Sequence, residues 1–169
     1  MTAVALLRPP RGGALTAELA PRLRDLGHRV VTLRPRSAVL DALLRPRKLG
    51  DDLGRVPAAV AGLMHARCDV AHAFCPADGL AASVWSAHGG GAAVVTVAEV
   101  PRREELAGRR LRMATLRRAL DGSAAVVATG PEVRDGLERW LGVRARVIPS
   151  EPVDAAAAAY AELYRALAG

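Results

Sequence analysis

Residues 4–33 read VALLRPPRGGALTAELAPRLRDLGHRVVTL, and this stretch decides the fold. The run Val4 to Leu7 is apolar throughout, as in a strand covered on both faces of a parallel sheet. Leu15, Leu19, Leu23 and Leu26 then recur at helical spacing and form one stripe, while Glu18, Arg22, Arg24 and Asp25 fall elsewhere. Gly27 stands where a left-handed helix end is required, a conformation that a residue without Cβ adopts freely. Val30 to Leu33 forms the second strand, brought beside the first by a right-handed crossover. The unit is strand, loop, helix, turn, strand.

Its loop, Arg8-Pro9-Pro10-Arg11-Gly12-Gly13, is the chemically suggestive part. Paired glycines allow a backbone to approach a bound group, and the free N–H groups opening a helix attract phosphate. The same glycines serve equally as tight-turn residues, and both readings stay open. The chain has no G-x-G-x-x-G and no G-x-x-x-x-G-K-[ST]. Arg34, where an acidic ribose ligand would stand, disfavours an NAD site.

The same alternation continues along the chain. The spacing predicts a surface loop over 34–50 with one turn of helix at Val39 to Leu44, then a helix over Val56 to His65 through Val60, Leu63 and Met64. It predicts strands at Asp69–Phe74, Ala92–Val97, Ala124–Ala128 and Val143–Ile148. Helices are expected at Pro76–Ala87, at Leu106–Leu120 with Leu111, Leu116 and Leu120 inward, from Gly130 to Trp140, and at Asp154–Leu167, capped by Asp154. This rhythm specifies an α/β chain: a single three-layer αβα Rossmann-like domain with a mostly parallel sheet of about six strands. Residues 1–153 form that domain, and residues 154–169 form a helix that packs back on it.

At 169 residues, 51% of them apolar, the chain can bury a full core. Its arginine-heavy, lysine-poor, alanine-rich composition resembles bacterial coding of high GC content. The net charge of +7 suits phosphorylated ligands or acidic surfaces. The arginines are spread rather than interleaved with aromatic residues, which disfavours nucleic acid. No apolar run reaches membrane-spanning length and no signal-peptide core precedes Arg8, so a cytoplasmic protein is expected. Cys68 and Cys75 match no zinc or redox spacing, and His28, His65, His72 and His88 form no ligand pattern. Buried thiols and no metal are expected.

Several segments together resemble the amino-terminal half of retaining GT-B glycosyltransferases of the group 1, family 4-like kind. Leu26-Gly27-His28-Arg29-Val30-Val31-Thr32 resembles that group's "GHEVTV" text, Asp69-Val70-Ala71-His72-Ala73 its "DVVHAH", and Ala93-Val94-Val95-Thr96-Val97 its "PVVYTVH". Ala125-Val126-Val127-Ala128, Val133-Arg134-Asp135 and Val147-Ile148-Pro149 resemble its "AVIAVSEAVRDAL…VRVIPNGVD". The likeness covers about the first 154 residues. It departs at Ala98, where the group carries a histidine near the transferred sugar, at Gly130 in place of Ser, and at Ser150-Glu151-Pro152-Val153-Asp154 in place of "NGVD".

The resemblance implies a domain that meets a nucleotide sugar and an acceptor without metal or other cofactor. It places Gly12, Gly13 and Arg11 at the donor phosphates and Glu99 at the sugar-proximal position, as a general base if burial raises its pKa. It leaves Arg8, His72, Arg102 and Arg103 as anion or acceptor contacts, with a structural role for His72 as the alternative. The group's second Rossmann domain, which binds most of the donor, has no counterpart in this sequence, while residues 154–169 resemble the last helix of full-length members. The sequence thus resembles a family member without its middle, with Tyr160, Leu163, Tyr164 and Leu167 as the buried face of that helix.

Three readings follow. The first is half of a hexosyltransferase-type site, completed by a second chain or by a homodimer and inactive as a monomer. The second is a non-catalytic binding protein of glycosyltransferase descent. The third is an unrelated nucleotide-binding Rossmann-like enzyme. An apolar or basic patch is expected at the strand-end surface where a partner would dock.

Overall fold

The computed structural model describes residues 1–9, 13–35, 53–99 and 110–169. The predicted turn at 39–44 and the loop residues 100–105 lie outside them, as do Pro10, Arg11, Gly12, Arg102, Arg103 and residues 106–109 of the predicted basic helix.

Six parallel strands form one sheet in the order β2-β1-β3-β4-β5-β6. They are β1 (Ala3–Leu7), β2 (Arg29–Leu33), β3 (Val70–Ala73), β4 (Ala92–Val97), β5 (Ala125–Ala128) and β6 (Arg146–Val147). The helices are α1 (Ala14–Asp25), α2 (Val56–Ala66, entered through a 3-10 turn at Leu53–Arg55), α3 (Pro76–Ala87), α4 (Arg110–Asp121), α5 (Pro131–Leu141) and α6 (Val153–Ala168). Register is continuous from edge to edge: Leu6 lies beside Thr32 and His72, and His72 beside Val94.

The alternation of the pleat sends the side chains of each strand to two separate cores. Ala5 and Leu7 with Ala71, Ala73, Ala93 and Val95 meet Leu63, Ala81, Trp85, Leu116 and Leu137, which come from α2 to α5. Val4 and Leu6 with Val70, Val94 and Val127 meet Leu19 and Leu23 of α1 and Ala157, Tyr160, Ala161 and Tyr164 of α6. Among the described residues, two helices therefore cover one face and four the other. Large side chains are few, so Ala and Gly set close spacing between layers. A Cβ at Gly79 would fall 2.9 Å from Val95 and 3.1 Å from Ala119.

Several expectations need correction. Leu26 is exposed because α1 ends at Asp25 and the chain turns at Gly27, which takes the anticipated left-handed conformation (φ +85°). Met64 is exposed because Ala59 and Leu63 define the inner face of α2, and Met64 lies roughly 100° round the helix from Leu63. Leu111 is exposed for the same reason, about 140° away from Leu116. The last strand is two residues, Arg146 and Val147, instead of six; it lies at the sheet edge and pairs with β5 over those two residues alone. Asp154 caps nothing: α6 begins at Val153 after Pro152 with no side-chain cap, and Asp154 instead pairs with Arg22 of α1. That exposed pair contributes little.

Candidate functional site

The chain leaves β1, passes through α1 to β2 on one side, then crosses back to β3 on the other. Ligands in such sheets bind outside the carboxyl ends of the strands, where the order reverses. A cavity of about 560 Å³ lies there. Its walls are the residues that follow strands and open helices: Pro9 after β1, Phe74 after β3, Ala98 and Glu99 after β4, and Thr129 after β5. Ala14 to Thr16 and Glu18, the first turns of α1, close one side, and Ser150, Glu151 and Val153 at the entry to α6 close another.

The opening of α1 supplies the unpaired N–H groups that a helix start presents. Gly13 precedes it at φ −75°, ψ 16°, a conformation open to any residue. Among the described residues, the atoms nearest to a Cβ there belong to the flexible Arg8 side chain, its Nε at 2.7 Å. Glycine at 13 is thus demanded neither by backbone conformation nor by packing against a rigid neighbour.

Arg8, which follows β1, is held from behind by Arg55. The Arg55 Nη2 donates to the carbonyl of Arg8 (2.9 Å) and to Oδ2 of Asp78 in the first turn of α3 (3.0 Å). Both side chains are buried, Asp78 completely. Burial and the Asp78 carboxylate push the Cys75 thiol up to about 12, and burial pushes Cys68 up to about 11, so neither is an available nucleophile.

Below the cavity lies a buried polar network. His72 Nδ1 meets Tyr164 Oη at 2.5 Å, His72 Nε2 meets Thr96 Oγ1 at 2.7 Å, and Thr96 Oγ1 meets Tyr160 Oη at 3.0 Å. Phe74 lies against the His72 ring, centroids 4.1 Å apart. Burial lowers the His72 pKa to about 3, so the ring is neutral. His28, buried behind α6, is also lowered by burial.

The sign of the resulting pH dependence follows directly. Between about pH 3 and 6.5 the unfolded chain binds a proton at His72 that the folded chain refuses, so stability is complete above pH 6.5 and falls as pH drops through that window. The expected slope is up to about 1.4 kcal/mol per pH unit from this residue. Urea unfolding at pH 7 and pH 5 should show the loss, and a His72→Gln protein should lose stability less steeply. An identical slope in both proteins would mean that His72 does not carry it.

Of the residues singled out from sequence, the structure brings Glu99 to the cavity; Gly13 is not in its wall but directly precedes Ala14, which is, and Arg8 lies beside Gly13. His72 lies beneath the floor, fully buried, with both ring nitrogens engaged, and reaches the cavity only through Phe74 and Thr96. Arg11, Gly12, Arg102 and Arg103 lie outside the described residues. The described lining is largely apolar, with Pro9, Ala14, Leu15, Phe74, Ala98 and Val153, and also carries Glu18, Glu99 and Glu151. Thr96, Glu18, Glu151 and the Arg55–Asp78 pair escaped the sequence reading. Thr96, a lone hydroxyl between valines in an otherwise apolar strand, was the one visible signal. Among the described residues, no group of three or more His, Cys, Asp or Glu is placed to hold a metal, and no helix is long and apolar enough to cross a membrane.

Fold and cleft together define a Rossmann-like αβα domain of the GT-B amino-terminal type. Residues 12–150 match Glycosyltransferase Family 4, and the chain belongs to that family. It is similar to a two-segment portion of sucrose-phosphate synthase from Thermosynechococcus elongatus (TM-score 0.73, 18% identity), with 99% of each chain covered. Against the longer chain of that synthase the TM-score is 0.66 at 16% identity, covering 88% of this chain and 48% of the other. The chain thus spans about half the length of that synthase, and at these identities the likeness is one of fold. No curated protein matches the chain in sequence. Family membership sets aside the reading of an unrelated Rossmann-like enzyme.

Proposed function

We propose that this chain supplies half of a nucleotide-sugar-dependent GT-B transfer site. The observation that carries the reading is the cavity between the opening of α1 and the end of β4, in a chain of Glycosyltransferase Family 4. In this reading the donor diphosphate lies against Gly13, with Gly12 and Arg11 before it, and the transferred sugar lies toward Ala98 and Glu99. Glu99 is the general base, and Arg8, Arg102 and Arg103 contact the anionic or acceptor groups. Guanidinium groups suit phosphate because they donate in pairs. The Arg8 side chain beside Gly13, with its Nε 2.7 Å from where a Cβ would stand, supports a guanidinium contact to an anionic group at that point.

Transition-state stabilisation requires donors on several sides of the reacting atoms. One domain offers one wall. Transfer accordingly needs a second wall from outside these 169 residues, whether a further domain, a complementing chain or a second copy, and residues 1–169 by themselves do not turn over. Ala98, exposed in the cavity wall where the resembling enzymes carry a histidine, favours a second reading: a binding protein of the same descent without catalysis.

Thermal shifts with UDP-glucose, GDP-mannose and ADP-glucose test this. A ligand at about 100 times its Kd adds about 2.7 kcal/mol to the folded state, a shift of several degrees for a chain of this size. One nucleotide sugar should raise the melting temperature, and Gly13→Val should abolish the rise while leaving the unliganded melt nearly unchanged. No shift with any of the three would replace this reading with that of an acceptor-binding or protein-interaction domain.

A further inference from the structure

We propose that Thr96 presents its hydroxyl proton to the cavity as a ready-made donor for an acceptor oxygen of the bound ligand. This rests on the cavity being a binding site, as argued above, but the orientation of the proton stands on geometry alone.

The network under the cavity contains four donor protons: one on each of the Tyr160, Tyr164 and Thr96 hydroxyls and one on the neutral His72 ring. It contains three hydrogen bonds, Tyr164 to His72, His72 to Thr96, and Thr96 to Tyr160. Each bond uses one proton, so one is left over. Three arrangements satisfy all three contacts. If His72 carries its proton on Nδ1 and donates to Tyr164, then Thr96 donates to Nε2, Tyr160 donates to Thr96, and the Tyr164 proton is stranded. If His72 carries it on Nε2 and Thr96 donates to Tyr160, the Tyr160 proton is stranded. If His72 carries it on Nε2 and both His72 and Tyr160 donate to Thr96 Oγ1, the proton left over belongs to Thr96.

Tyr164 is 0% exposed and Tyr160 1%, and neither lines the cavity. Neither phenol has a further hydrogen-bond partner among the described residues. A phenol proton stranded there would pay the full desolvation cost of an unmade bond. Thr96 is 3% exposed yet lines the cavity. Its proton alone has somewhere to go. The third arrangement is therefore the one that leaves no buried donor unspent, and it fixes the chemistry of what Thr96 receives: a hydroxyl, carbonyl or phosphate oxygen, and not an N–H or ammonium group. Tyr160 and Tyr164 of α6 thereby set the polarity of the cavity floor without lining the cavity themselves, through Thr96 and through Phe74 resting on the His72 ring.

Nitrogen NMR of the histidine-labelled, unliganded protein tests the core of this directly. The expected tautomer at His72 is Nε2–H with a bare, accepting Nδ1; an Nδ1–H tautomer overturns the proposal. Tyr160→Phe separates the two remaining arrangements. It should lower the melting temperature, because it removes a donor to Thr96; an unchanged or raised melt would show the Tyr160 proton to be the stranded one and would also overturn it. Binding then gives the third arm. Thr96→Ser should keep affinity for UDP and UDP-glucose within about threefold, while Thr96→Val should weaken it roughly tenfold, beyond any change in the unliganded melt. A loss for both probes places the acceptor oxygen on the nucleoside diphosphate, and a loss for UDP-glucose alone places it on the sugar. Equal affinity of the valine and serine proteins overturns the contact. Should neither probe bind the native protein, the nucleotide-sugar reading fails, while the tautomer and the Tyr160→Phe melt still decide where the Thr96 proton points.

Discussion

A chain ending at Pro152 is expected to lose its cooperative unfolding transition altogether. The missing helix α6 contributes Ala156, Ala157, Tyr160, Ala161, Leu163 and Tyr164 to the core on the α1 side of the sheet. Two tyrosines of roughly 200 Å² each, at about 25 cal/mol per Å², represent about 10 kcal/mol of apolar burial. That is comparable with the entire stability of a domain of this size, about 5–15 kcal/mol. The deletion would also leave His72 and Thr96 facing emptied space without the Tyr164 and Tyr160 hydroxyls. Circular dichroism during heating would show a broad, low-temperature loss of signal in the shortened chain. A sharp transition at the native temperature would demonstrate that the first 152 residues fold without this helix. Half-buried Leu167 belongs to the same face, so Leu167→Ala should have a much smaller effect than Tyr164→Ala.

The second large effect is expected at Arg55. Replacing it with alanine leaves the fully buried Asp78 carboxylate without the guanidinium at 3.0 Å and removes the donor to the Arg8 carbonyl. Breaking one side of a buried pair typically costs about 3–5 kcal/mol, because the remaining charge stays in a low dielectric. Urea titration of Arg55→Ala should show a loss of that order, and the double variant Arg55→Met with Asp78→Leu should recover most of it. A loss below about 1 kcal/mol would mean that the pair behaves as a solvated one. Because Arg55 anchors the residue that begins the loop into α1, the single variant should also weaken any ligand of the cavity. The double variant should restore stability without restoring that affinity, since an apolar pair makes no hydrogen bond to the Arg8 carbonyl.

The legible and illegible parts of this chain separate by the range of the interaction that fixes them. Helical and strand periods, the glycine that ends α1 and the apolar run of β1 are local signals, and they placed Pro76–Ala87 and Ala92–Val97 where the structure has them. The faces of helices with weak stripes were less certain. In α2 and α4, alanine and arginine dominate, so Met64 and Leu111 drew attention by size, although the rotation of the helix sends them to solvent. The shortness of β6, which pairs with β5 over two residues, is announced by no property of Val143 to Ile148.

At the site the same division holds. Glu99 could be placed at the cavity because it sits in a loop after a recognisable strand, and strand-end loops of a parallel sheet converge wherever the strands do. Arg55 and Asp78 could not, since a charged residue beside a helix start reads as solvated until the fold buries it opposite its partner. Thr96 showed only as a hydroxyl in an apolar strand, and its role was hidden because its partners in the network lie 24 and 64 residues away along the chain.

The sequence by itself determined the order of elements, the parallel sheet and its family text, because hydrophobic period and turn chemistry act over a few residues. Only the tertiary structure decided which polar groups are buried together. Those partners are chosen by strand order and by the docking of α6 across α1 and β3, and they acquire their protonation states, and their roles under the cavity, from the removal of water that this docking brings about.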